Sequence, residues 1–483
     1  MRLLLVCLFA SLPVSLLAAP PNVVVIVADD LGWNDVGYHN PEIRTPHIDA
    51  LAEQGARFDR FYVNPTCSPT RASLMTGKFA ARVGMDAPVQ WHTEQGLPLE
   101  ERILPEYFRD AGYQTLMSGK WHLGMAHPDM FPGSRGFDHS YGNLAGGIGY
   151  YDHVFSGGLD WHRDGEVLRE EGYATDLIAA EAVRLLRARD RTRPTFLYLS
   201  FTAPHTPLEA PDAVIRSYAH VADPKRRTLA AMITTLDAAI GRVLAVLDEQ
   251  GMADDTLVFF LSDNGGQLPA GMLIEFMVPP ARDGVADNAP LRGGKGRVYE
   301  GGVRVPAVIR WPGRIEPGRT IVQPIFVADL LPTLLAATGF PLDAREAADL
   351  DGESQLDGLL ERDLRPRSAF VVANLGSEAM IDWPWKLVAE ASLPFIPDFL
   401  KSTSYSLFHL DRDPEEQQDV AQQHPARVAK MKAWLAAQPR REWVVLDLSK
   451  GSDSFGGELT REPWVERARS RAAGGESPPA TVD

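Results

Sequence analysis

The stretch "NVVVIVADD", from Asn22 to Asp30, constrains the fold more than any other part of the chain. A run of β-branched residues with no polar alternation reads as a strand buried on both faces, which is the habit of a parallel sheet rather than of a half-solvated antiparallel one. It ends in two adjacent aspartates. Three further apolar runs end in the same way: "YQTLMSGKWH" from Tyr113 reaches Lys120 and His122, "TFLYLSFTAPH" from Thr195 reaches His205, and "TLVFFLSDNGG" from Thr256 reaches Asp263 and Asn264.

Helical patterns separate these runs, at His47 to Phe58, Leu104 to Ala111, Ala174 to Arg189 and Thr228 to Gln250. The alternation predicts an α/β fold: a large, mostly parallel or mixed sheet sandwiched by helices. Ligands of such sheets sit outside the carboxyl ends of the strands. The four runs therefore deliver carboxylates, an amide, a lysine and two histidines to one edge.

After "DLLPTLLAATG", a helix from Asp329, an acidic irregular stretch from Asp343 to Arg367 reads as a linker. Beyond it "SAFVVANL", "WPWKLVAE" and "YSLFHLDRDPEE" read as short strands with a helix over Ala426 to Ala437, giving a smaller C-terminal α+β subdomain with a short antiparallel sheet. The expected organisation is a signal peptide at 1–19, a catalytic domain at 20–360, the subdomain at 361–440 and a tail at 441–483. From Gly451 onward the tail is rich in Gly, Ser, Pro and charge and is expected, for the most part, to join no core.

The leader combines Arg2, an apolar run from Leu3 to Leu17 and small residues at Ala18 and Ala19. That layout predicts export to the periplasm or beyond, and the run is short for a membrane span. Its removal takes Cys7 and leaves Cys67 without a possible partner. The formal charge of -16 argues against nucleic acid as a partner, so any anionic substrate must meet a local basic pocket. Lysines are few, and Lys78, Lys120 and Lys295 each follow a glycine.

Cys67 opens "CSPTRASLMTGK". Pro69 suits a first helical turn and Gly77 a helix end, which would put the thiol at a helix amino terminus beside Arg71, in a field that favours anions. A buried free cysteine acting as a small apolar residue fits the same spacing. Asp29, Asp30, Asp263 and Asn264 together make an all-oxygen set suited to a hard cation such as Ca²⁺, with Mg²⁺ the poorer fit because it keeps several waters. The aspartate pair alone could also cap a turn.

These motifs resemble the type I sulfatases of the alkaline phosphatase superfamily, over Pro21 to Pro439. "CSPTRASLMTGK" is similar to the family stretch that directs conversion of a cysteine to Cα-formylglycine, with Pro69 and Arg71 matching. "ADDLGWNDVG" and "SDNGG" resemble the metal-binding pairs at Asp29, Asp30, Asp263 and Asn264. "GKWHLG" matches at Lys120 and His122, "APHTPLEAP" at His205, and "LRGGKGRVYEGGVRVP" at Lys295.

The resemblance implies that Cys67, as a hydrated aldehyde, attacks sulfur with one oxygen on the metal. It implies that Arg71 supports that group, that Lys120 and Lys295 hold the sulfate, that His205 protonates the leaving group and that His122 takes the proton that regenerates the aldehyde. It implies a sulfated partner, with a carbohydrate expected from export, and a formylglycine-generating maturation enzyme. A phosphonate or phosphate ester hydrolase of the same superfamily remains an alternative, and a non-catalytic glycan-binding relative a more distant one. Ser68 and Thr70 stand in reverse of the order often seen, and the segment Gln267 to Asp287 separates two of the motifs.

Overall fold

The computed structural model describes residues 20–90, 94–269, 284–361, 367–374, 376–391, 402–441 and 462–474. The expected leader at 1–19 lies outside them, as does most of the segment between Gln267 and Asp287.

The Asn22–Ala28 run is the middle of a ten-stranded sheet. Strands Thr256–Ser262 and Thr195–Ser200 flank it, both parallel, and Gln114–Gly119 and His139–Gly142 continue the parallel order on one side. Strands joined mostly by antiparallel pairings complete the sheet, including Ala307–Arg310 beside Thr256–Ser262, with Arg319–Ile321 parallel to Ala56–Phe58 at one edge. The unbroken apolar run has a direct explanation in the two faces. Val23, Val25 and Val27 enter one core, whereas Val24, Ile26 and Ala28 enter the other. Helices Pro46–Gln54, Ala174–Ala188 and Pro224–Glu249 cover the second face. Cys67–Thr76, Leu104–Asp110 and Leu330–Thr338 cover the first.

Four antiparallel strands follow in sequence order within Phe370–His409: Phe370–Asn374, Ser377–Asp382, Trp385–Ala391 and Thr403–His409. Phe370, Val372, Leu387 and Leu407 belong to the same core cluster as Val23 and Met75, so this small sheet is fused to the first face of the large one.

The structure differs from the sequence expectations in two places and adds one element in the tail, most of which lies outside the described residues. The helix expected over His47 to Phe58 stops at Gln54, and Ala56–Phe58 is a strand paired with Ala307–Arg310. The stretch expected as an irregular linker carries helices Ala344–Ala348 and Leu356–Glu361, and Arg367 forms a buried two-point ion pair with Asp329 at 2.7 and 2.9 Å. Within the tail, Trp464–Ala473 is a helix that buries Trp464, Val465 and Ala468 and donates Trp464 Nε1 to the Phe155 carbonyl at 3.0 Å. A lone tryptophan amid polar residues was the signal for it.

Candidate active site

Strand register sets the site. Ala28 lies opposite Ser262, so the next residues, Asp29 and Asp263, leave the sheet side by side. Ser200 lies opposite Gly119, which brings Lys120 to the same edge, and the Lys120 amide donates to the Ser200 carbonyl at 2.7 Å. Gly119 makes that approach possible: its φ is +117°, and a Cβ there would stand 1.8 Å from the Ser200 oxygen. The glycine before Lys120 is thus a backbone requirement. Asp30 and His122 also hold left-handed backbones, at φ 67° and 55°, conformations that non-glycine residues adopt at a cost of order 1–3 kcal/mol.

Cys67 is the first residue of the helix Cys67–Thr76, every residue of which is buried, and Gly77 ends that helix in the left-handed region. The thiol faces the edge of the sheet. Asp29, Cys67 and Asp263 each offer one atom, all within 4.8 Å of one another, and Asp29, Asp30 and His205 form a second such group. The expected anion-favouring field does not dominate at the thiol. Burial pushes Cys67 up, and Lys120 and Lys295 only partly offset it.

The carboxylates are crowded and water-poor. Burial, then the neighbouring Asp263 carboxylate, pushes Asp29 up to about 8. Burial also acts to raise Asp30, but the Lys295 and His205 side chains outweigh it and hold Asp30 at about 2. Lys120 Nζ donates to Asp29 Oδ2 at 2.5 Å and to the Gly146 carbonyl at 2.6 Å, while Lys295 Nζ donates to Asp30 Oδ2 at 2.8 Å. Asp29 Oδ1 and Asn264 Oδ1 are buried acceptors with no hydrogen-bond partner. Two orphaned oxygens among three carboxylates fit a hard divalent cation, which would satisfy both.

Arg71 is turned toward Asp263. Its Nε and Nη2 donate to Asp263 Oδ2 at 3.1 and 2.8 Å, and Nη1 donates to the Lys120 carbonyl at 3.0 Å and to Ser200 Oγ at 2.5 Å. The geometry makes it a holder of Asp263 and of the Lys120 backbone.

Both histidines have their tautomers set by backbone carbonyls, which can only accept. His122 donates Nε2–H to Val89 O at 3.0 Å, leaving Nδ1 buried and without a partner. His205 donates Nδ1–H to Thr206 O at 2.6 Å, leaving Nε2 3.7 Å from Asp30 Oδ2. Burial, followed by the charge of Lys120, holds His122 well below the usual imidazole range, and burial with Lys295 brings His205 down to about 3. Both rings are neutral at pH 7.

Several contributors carried no clear mark in the sequence. Ser68 Oγ donates to the His122 carbonyl at 2.9 Å and accepts from the Val89 amide at 3.0 Å, closing a ring of contacts around His122. Gly146 lies against the same imidazole, where a Cβ would meet Cε1 at 2.4 Å. The Ala145-to-Gly149 run of "AGGIG" is a signal for close approach that spacing alone did not assign.

The chain is similar to known proteins throughout this framework. The family model "Sulfatase" matches residues 21–340. Arylsulfatase J of Mus musculus is 30% identical over 460 residues, covering 85% of this chain and 74% of that protein. N-acetylgalactosamine-6-sulfatase of Homo sapiens is 32% identical over 440 residues, covering 82% and 81%. Among solved structures, Ps i-CgsB in complex with k-i-k-neocarrahexaose superposes with a TM-score of 0.76 at 28% identity, over 95% of this chain and 99% of that one. The fold extends to a phosphonate monoester hydrolase of Agrobacterium radiobacter, with a TM-score of 0.61 at 20% identity over 86% and 95%. Architecture is therefore shared across ester chemistries, and the matched family separates them: the chain belongs to the sulfatase family and is a sulfuric ester hydrolase.

Proposed function

We propose that this sulfatase is exported and removes sulfate from a sulfated carbohydrate, with Cys67 converted to Cα-formylglycine by a maturation enzyme and Ca²⁺ held by Asp29, Asp30, Asp263 and Asn264. The observation that carries the reading is the buried Cys67 at a helix amino terminus, facing two carboxylates and two orphaned acceptor oxygens. The leader at 1–19 supports export, and the names of the N-acetylgalactosamine-6-sulfatase and neocarrahexaose-bound relatives support a sugar substrate.

The cation would supply charge stabilisation at the sulfate oxygens, and the modified Cys67 a hydrated aldehyde as nucleophile. The chain's own residues do the rest. Arg71 keeps Asp263 fixed in place. Lys120 and Lys295, held on Asp29 and Asp30, are the donors at hand for sulfate oxygens in a dry site, where such contacts are strongest. His122 accepts a proton at its free Nδ1, its other nitrogen being committed to Val89. His205, whose Nδ1–H is committed to Thr206, rests with Nε2 bare; it takes up a proton there as the anionic ester binds against Lys295 and then delivers that proton to the departing oxygen.

The test is chemical. The tryptic peptide 61–71 of active enzyme should show the mass loss of thiol-to-aldehyde conversion and react with a hydrazide. Cys67→Ala should remove nearly all sulfate release across sulfated mono- and oligosaccharides and aryl sulfate, with aryl phosphate as the comparison substrate. Full turnover by protein carrying only unmodified Cys67 would refute the assignment.

A further inference from the structure

The loop that carries Lys295 is fastened at three points by the C-terminal sheet and the segment after it. At its start, Arg292 Nη1 donates to the Glu416 carbonyl at 3.0 Å. At its centre, Asn374, the last residue of the strand Phe370–Asn374, donates Nδ2 to the Gly296 carbonyl at 3.1 Å. At its end, the Glu300 amide donates to Glu416 Oε2 at 2.6 Å, and Lys386 Nζ bridges Glu300 Oε1 and Glu416 Oε1, both at 2.9 Å.

Asn374 does more than hold one loop. Its Oδ1 accepts from Thr66 Oγ1 at 3.2 Å, and Thr66 immediately precedes Cys67. One buried amide thus joins the loop of Lys295 to the start of the helix that presents Cys67. The Gly296 amide donating to the Pro65 carbonyl at 2.7 Å makes the same connection through the backbone.

Lys386, Glu300 and Glu416 are fully buried, and the Tyr62 hydroxyl also donates to Glu300 Oε2 at 2.9 Å. Buried charges of this kind are a poor means of stabilising a fold compared with apolar packing, although they do fix geometry. The adjoining sheet already buries Phe370, Val372 and Leu387 in the main core, so attachment of the small sheet does not depend on the polar contacts.

We propose that Asn374 is a positioning residue, which, with the Lys386–Glu300–Glu416 cluster at the end of the same loop, sets the distance between Lys295 and the Cys67 nucleophile. This rests on the reading of Lys295 as a sulfate-binding group. The small sheet is then part of the catalytic frame, and its end strand acts through Lys295 without touching substrate.

A double-mutant cycle on 4-nitrophenyl sulfate tests it, with rates normalised to formylglycine content by mass spectrometry and folding followed by melting temperature. Asn374→Ala should lower kcat/KM about 10-fold, chiefly through KM, since small displacements of a binding group are costly. Lys295→Ala should lower it about 10²-fold or more. If Asn374 acts through Lys295, adding Asn374→Ala to Lys295→Ala should cost no more than about 2-fold further. Asn374→Ser, which keeps a polar group in the site, provides the same cycle should the alanine variant fail to fold. A severe Lys295→Ala loss combined with multiplicative effects overturns the positioning role alone. A Lys295→Ala enzyme as active as wild type overturns both that role and the lysine assignment on which it rests.

Discussion

A histidine with one nitrogen committed to a backbone carbonyl has only the other left for chemistry, and His205 offers Nε2, beside Asp30 and Lys295. Burial, with Lys295 next, brings it down to about 3, so the resting ring is neutral. An anionic sulfate ester arriving against Lys295 cancels part of the charge that disfavours protonation and raises the affinity of Nε2 for a proton. The benefit depends on the leaving group: a sugar alkoxide needs the proton, whereas a nitrophenolate departs as an anion. His205→Ala should therefore lose about 10²- to 10⁴-fold in kcat/KM on a sulfated sugar and much less on nitrophenyl sulfate. Equal losses on both would assign His205 to sulfate binding and leave Lys295 as the proton donor. Of the residues named from sequence, Asp29, Lys120 and Asp263 directly follow a strand and Cys67 opens a helix, so an element boundary announces them, whereas Lys295 lies in a loop and was marked by its motif alone. Ser68, Gly146 and Asn374 act through hydrogen bonds or close contacts to partners such as His122 and Gly296, far away in the chain, and no local pattern records such a pairing.

Elements were legible where one periodicity held throughout and illegible where an element ended inside an apolar pattern. Residues Pro46–Gln54 and Ala56–Phe58 read as one helix because Ile48, Leu51, Ala52, Ala56 and Phe58 are all buried. Gly55 divides them. A Cβ there would lie 2.1 Å from the Ile309 carbonyl, so the break is set by the neighbouring strand Ala307–Arg310, which the sequence of the helix cannot display. The loop Asn143 to Gly149 poses the same problem at the site. It is held by Asp160, whose two carboxylate oxygens accept the Leu144 and Ala145 amides at 3.0 and 2.7 Å, and so Gly146 cannot easily move away from His122. Gly146→Ala must push either the loop or the imidazole by a substantial fraction of an ångström. The expected result is a loss of about 10- to 100-fold in kcat, as for comparable displacements of reacting groups, with a melting temperature within a few degrees of wild type. Wild-type kcat in this variant would mean that the His122 ring relocates freely, contrary to its bonds with Val89 and its packing beside Ser68.

At the scale of the whole molecule, the two-faced sheet and the run of charged and polar groups along its carboxyl edge followed from the apolar runs, because burial on both faces leaves a strand no other pattern. The fusion of the small sheet to the large core, and the helix Trp464–Ala473 returning onto the Phe155 region, depend on contacts between distant segments and left only weak traces. One consequence of such extensive burial is a set of titrating groups sealed in the fold. His162 lies in the strand His162–Arg163, second from one edge of the sheet, is 1% exposed, and has its Nε2 without a partner. Burial lowers it from 6.5 to about 4. The unfolded chain therefore binds the proton more tightly, so stability from this group is present above pH 6.5 and is lost as pH falls toward 4. Asp160, pushed up to about 6 by burial, has the opposite sign: it favours the folded state as pH falls through that value. The wild-type curve mixes such opposing contributions, and the informative quantity is the difference from His162→Gln. Between pH 7 and 4.5, wild type should lose roughly 2 kcal/mol more unfolding free energy than the variant, the amount expected for a shift of this size. Denaturant titrations of both proteins at the two pH values measure it directly. A glutamine that is less stable at both pH values by a constant amount would show only lost packing; parallel curves of that kind would remove His162 as a source of acid sensitivity.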